Sequence, residues 1–153
     1  MPADGISARP AAADTPRAGL PRRIVYRHQG DVATFLQTSE ESGGARTLLK
    51  LEVAPGGRVT PHFDIGYAEH FRGRQGRLGL QIGEQTRTLG PGEEALAQPG
   101  QLHAWRNDAS EPAVAVVELR PGHAGSEKAL CVAYRLAADG MPRNPLHAAL
   151  PLQ

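Results

Sequence analysis

The chain is expected to fold as an all-β barrel or sandwich that ends in a single helix. Three features lead to that expectation. Short runs rich in branched and aromatic residues recur along the middle of the chain, turn residues separate nearly every pair of runs, and the apolar period changes once, late, from two residues to about 3.6. With 153 residues and 40% hydrophobic content, the chain is sized for one core.

Residues 1–21 are mostly Ala, Pro, Gly and Asp with no apolar period, so they have no face to bury and are expected to form a disordered N-terminal tail. Strand-like runs then follow at 24–26, 33–36 and 47–53, before the turn at Pro55-Gly56-Gly57. Runs at 69–74, 77–82 and 85–89, split by Gln75-Gly76 and Gly83-Glu84, read as a meander, and Gly79 inside one of them leaves room for a ligand. Further runs at 94–98, 102–106 and 113–119 complete the set, the last apolar but for Glu118 and therefore expected to be buried. After Pro121-Gly122, Ser126 can cap a helix in which Leu130, Ala133, Tyr134 and Ala137 recur at three- and four-residue steps until Gly140. The expected organisation is thus a tail at 1–21, a barrel at 22–122, and a helix with an extended tail at 123–153 packed on the barrel.

Two glycine-framed segments carry the chemistry. The first runs Gly56-x5-His62-x-Asp64-x4-Glu69-x6-Gly76, and the second Gly92-x5-Gln98-Pro99-Gly100-x2-His103-x3-Asn107. Alternate residues of an extended chain leave the same face, so His62 goes with Asp64, Glu69 with Phe71, and His103 with Trp105. Three such segments curling around one axis would aim these groups at a common interior point. Imidazoles with one or two carboxylates and no thiolate suit a divalent Fe, Mn, Ni, Co or Zn and argue against a cysteine-type structural zinc. His28, His70, His123 and His147 fall outside the pattern and read as ordinary histidines, with His70 facing away from Glu69.

Both segments resemble the paired motifs of the cupin family. Asp64 stands where the first motif carries its second histidine, and Gln98 replaces a turn proline of the second. The resemblance to small bacterial single-domain cupins implies a double-stranded β-helix, or jelly-roll barrel, with the metal ligands at His62, Asp64, Glu69 and His103. It also implies a homodimer. His62, Glu69 and His103 form the expected facial triad. For Asp64 three roles stay open: a fourth ligand, a partner that orients a ligand histidine, or the mark of a barrel that has lost its metal.

The implied function is metal-dependent tailoring of a small polyketide-like or sugar-like substrate by oxygenase or isomerase/cyclase chemistry. Glu69 or Asp64 would move protons, and Phe71, Leu80 and Trp105 would line the substrate pocket. The alternatives are a metal-free cyclase or lyase and a non-catalytic binding barrel. An Asp64 tied to Arg72 or Arg74 would point to a reworked pocket.

Composition narrows the partners. Seventeen Lys and Arg against 16 Asp and Glu give a net charge of +1, so neither nucleic acid nor an anionic membrane is expected as a partner. Lys50 is expected to face solvent. Cys131 is the lone cysteine and reads as buried helix filler. With no span of about 20 apolar residues and no signal-like start, a cytoplasmic location is expected.

Overall fold

The structure is a computed structural model and describes residues 20–139. The expectations for residues 1–19 and 140–153 lie outside the described residues. Leu20, placed in the expected tail, packs against the core.

Nine strands and one helix follow in order among the described residues. They are β1 (Arg23–Tyr26), β2 (Asp31–Gln37), β3 (Thr47–Val53), β4 (Ala68–Gln75), β5 (Leu78–Ile82), β6 (Gln85–Leu89), β7 (Glu94–Ala97), β8 (His103–Arg106), β9 (Ala113–Arg120) and α1 (Ala124–Ala138). The strands form two antiparallel sheets, one ordered β1-β2-β3-β9-β4-β7 and the other β6-β5-β8. The architecture is a jelly roll with a C-terminal helix.

Period-two alternation sets the core. In β3 the side chains of Thr47, Leu49, Leu51 and Val53 are buried, and their cross-strand partners in β9 are Leu119, Val117, Ala115 and Ala113, buried as well. A one-residue slip would turn all eight away from the core, so the register is strongly specified. Residues 113–119, expected to be buried, alternate only at their start, where Val114 and Val116 are half-buried, while Val117, Glu118 and Leu119 are all buried. Lys50 points outward from β3 and pairs with Glu52 at 3.5 Å.

In the smaller sheet, Leu78 and Leu80 of β5 face the core opposite Leu89 of β6 and Trp105 of β8. Residues 57–62 extend this sheet without forming a regular strand. Their backbone bridges to β8 at Arg58↔Arg106 and His62↔His103. Asn107 closes the end of β8. Its amide donates to the carbonyls of Val53 and Glu111, while its side-chain oxygen accepts from the Ala109 amide.

Two buried carboxylates fasten α1 to the barrel. Glu127 accepts from the Ser39 amide and the Thr47 hydroxyl, each at 2.6 Å. Asp31 of β2 accepts from the Tyr134 hydroxyl and, at 3.0 Å, from the Gln29 amide. Tyr134 also packs edge-on against Tyr26 at 5.3 Å, so this residue and Cys131 are buried as expected. The helix begins earlier than the Ser126 cap predicted. His123 is the N-cap, and its side chain accepts from the Ser126 amide, a role that propensity does not assign to histidine. No helix among the described residues is long and apolar enough to cross a membrane.

Burial pushes the Asp31 carboxyl up to about 6 from 3.8, against the hydrogen bonds from Tyr134 and Gln29 that favour its charged form. The folded chain therefore holds this proton more tightly than the unfolded one. The contribution of Asp31 to stability is complete below about pH 4 and is lost as pH rises through about 6. Asp31→Asn should remove that loss. In thermal melts between pH 4 and 7, the wild-type midpoint should fall relative to the variant by roughly 5–10 °C.

Candidate metal centre

Three separate chain segments bring the candidate ligands together. His62 lies on the segment beside β8, Glu69 on β4 of the larger sheet, and His103 at the start of β8. The backbones of His62 and His103 exchange both hydrogen bonds, at 3.0 and 2.8 Å, which sets their rings 4.4 Å apart. Asp64 is on no regular strand, contrary to the extended pairing the alternation suggested. Its carbonyl is held instead by the amide of Gly100 at 2.6 Å. Gly100 has a φ of +76°, a conformation in which a side chain is strained, so this motif glycine positions Asp64 directly.

The four side chains offer one ligand atom each, all within 4.8 Å of one another. His103 Nε2 lies 2.6 Å from Glu69 Oε2 and 3.4 Å from Asp64 Oδ2, and His62 Nε2 lies 4.0 Å from Asp64 Oδ2. The Nδ1 atoms of the two rings contact the carbonyls of Thr60 and Gln101, at 2.8 and 2.9 Å. A carbonyl only accepts, so each Nδ1 carries the hydrogen and each Nε2 is presented to the carboxylates. This is the arrangement that orients a ligand histidine.

Electrostatics favour a cation at this point. Burial opposes the charge of Asp64, but the close approach of His103 and the charge of His62 outweigh it and hold the carboxyl below its usual range. Burial alone would lower His103, yet Asp64 and Glu69 prevail and raise it to about 10. Glu69 Oε2 and His103 Nε2 are both buried without a hydrogen-bond partner among the described residues, although they face each other. Buried polar atoms left this way call for a missing partner, and a divalent ion fits the donor set. His103 is almost fully enclosed, while the His62 side chain is 23% exposed and marks the open side.

Asp64 is tied to neither arginine considered for it, since Arg72 pairs with Glu94 at 3.3 Å. His70 also meets Glu94, at 3.3 Å, and so faces away from Glu69 as expected. Phe71, Leu80 and Trp105 are all buried. The Phe71 ring stands edge-on to His103 at 6.3 Å, and Leu80 and Trp105 are cross-strand partners. Gly79 belongs to the outer face of its strand, with Leu80 facing inward, so the room it leaves is on that outer face.

Tyr67 was missed. Its hydroxyl interacts with both Asp64 and Ser126, and its ring lies 5.1 Å from the His123 cap of α1. Burial, then the charges of Glu69 and Asp64, raise its phenol well above the usual value. The signal was available, since Tyr67 shares the alternation of Glu69 and Phe71.

The cupin domain family description matches residues 49–124, which contain the whole cluster. The chain belongs to the cupin superfamily. Similar solved structures include a predicted oxalate decarboxylase from Thermotoga maritima (17% identity, 67% of this chain and 92% of that one, TM-score 0.58). The polyketide cyclase RemF from Streptomyces resistomycificus is another (20% identity, 66% and 68%, TM-score 0.55). A third is the cupin domain of an XRE family transcriptional regulator from Enterobacter cloacae (25% identity, 61% and 99%, TM-score 0.52). No curated protein sequence matches this cupin closely enough to count as a relative.

Replacing Asn107 with Ala would strip partners from two carbonyls and one amide at a fully buried position. Equilibrium denaturation should show a loss of about 2–4 kcal/mol. Asn107→Ser, which keeps a polar group, should lose less.

Proposed function

We propose that this cupin is a metal-dependent enzyme acting on a small organic substrate inside its barrel, with His62, Glu69 and His103 holding one divalent ion. The observation that supports this most strongly is the pair of Nδ1–H···O=C contacts to Thr60 and Gln101, which leave both Nε2 atoms facing the carboxylates. Fe, Mn, Ni, Co and Zn all suit the donor set. Such an ion supplies Lewis-acid binding of substrate oxygens and, if it is redox-active, oxygenase chemistry.

The chain's own groups supply the rest. Phe71, Leu80 and Trp105 give an apolar wall that excludes water and suits the carbon skeleton of a polyketide-like or sugar-like molecule. Asp64, beside both Nε2 atoms, either completes the ligand set or takes a proton from the substrate. In the second role its setting favours the charged, proton-accepting form. Glu69 is the other proton carrier. Proton movement next to a polarised carbonyl is isomerase or cyclase chemistry.

A second reading rests on the 2.6 Å approach of Glu69 to His103. Without a metal, that pair is a ready acid–base couple, as a metal-free cyclase or lyase would use.

Metal analysis separates the two readings. Protein produced in supplemented medium should carry close to one divalent ion per chain. His103→Ala should abolish binding, and Asp64→Ala should weaken it by roughly 10- to 100-fold. A chain without metal, and without a thermal shift on adding any of the five ions, overturns the metal-enzyme reading.

A further inference from the structure

A groove of about 610 Å3 opens on the smaller sheet, and although Leu80 and Trp105 reach it, most of its polar lining comes from the sheet's outward face. Alternation assigns its residues. Leu78 and Leu80 point into the core, so Gly79 and Gln81 share the outward face of β5, and Arg77 just before the strand also lines the groove. Register places Thr88 beside Gly79 on one flank and Arg106 on the other, with Arg58 next in line through its bridge to Arg106. Four arginines thus line a floor made narrow by glycine, Arg87 among them already paired with Glu93 at 3.8 Å.

This arrangement is costly unless something binds there. Arg58 and Arg106 are direct partners on adjacent segments, and like charges directly opposite each other oppose strand pairing. Arg58 and Arg77 make no ion pair among the described residues. Asp108 meets Arg106 at 2.7 Å, and that side chain remains 68% exposed. A Cβ on Gly79 would come within 3.3 Å of both the Arg106 side chain and its carbonyl, so glycine lets the arginine lie across the strand. Local self-repulsion kept in an otherwise well-registered sheet is the mark of a site shaped by a ligand.

We propose that this groove binds a phosphate-bearing small molecule. Guanidinium forks match phosphate oxygens in pairs, and a tetrahedral dianion can engage several at once. The hydroxyls of Thr86 and Thr88 add neutral donors at the rim. The volume suits one small ligand. A net charge of only +1 for the whole chain does not suit an extended polyanion. The site is distinct from the proposed metal centre and does not depend on it.

Calorimetry on the full chain, with inorganic pyrophosphate and inorganic phosphate as probes at fixed ionic strength, tests the assignment. One saturable site is expected. Arg58→Ala and Arg77→Ala should each weaken it by roughly tenfold or more without altering the far-ultraviolet spectrum. His103→Ala, which disables the candidate metal centre, should leave the affinity unchanged. Binding that never saturates, that ignores the arginine substitutions, or that disappears in His103→Ala would overturn the proposal. Citrate binding more tightly than pyrophosphate would overturn the phosphate assignment.

Discussion

Two imidazoles are held by their own chain, each donating through Nδ1 to the carbonyl two residues before it, Thr60 for His62 and Gln101 for His103. The segments that carry them pair backbone to backbone at that same point. Ring orientation, tautomer and spacing all follow from this one local arrangement. Glu69 comes from the other sheet, so the cluster exists only when the two sheets are closed on each other. Barrel stability and site geometry are therefore one problem. Asn107 at the end of β8 and the register of β3 with β9 both bear on it.

The helix belongs to the same problem. Asp31 and Glu127 fasten α1 to the barrel wall, while Tyr67 reaches from the cluster to Ser126 in its first turn. A line of buried polar contacts thus runs from Asp64 to the helix cap. It supports Asp64 from behind and gives this residue, the one departure from the family's ligand pattern, a fixed place beside both histidines. Its neighbours are imidazoles and a phenol, not the arginines that would have marked a reworked pocket.

Much of this was legible in the sequence. Every strand falls within two residues of a run that predicts it, because the runs are short and glycine turns separate most of them. His62, Asp64, Glu69 and His103 could be named from glycine-framed spacing. What escaped turned on side-chain geometry and on how elements pack together. His123 caps the helix through side-chain geometry that propensity scales do not assign to histidine. Tyr67 gains its place only when α1 packs back onto the barrel. Which face Gly79 opens toward was set only by strand parity, which puts that room on the outer face. The arginine groove was invisible because Arg58, Arg77 and Arg106 are near neutral in the overall balance and meet only through register.

The central claim is that the two Nε2 atoms and the Glu69 carboxylate converge on one ion. A crystal of the metal-loaded protein, with data collected at the absorption edge of the bound element, tests it most directly. The account predicts a single anomalous peak among His62 Nε2, His103 Nε2 and Glu69, with both Nδ1 atoms still on their backbone carbonyls. A peak elsewhere on the chain, or a histidine ring turned so that Nδ1 meets the ion, would contradict it.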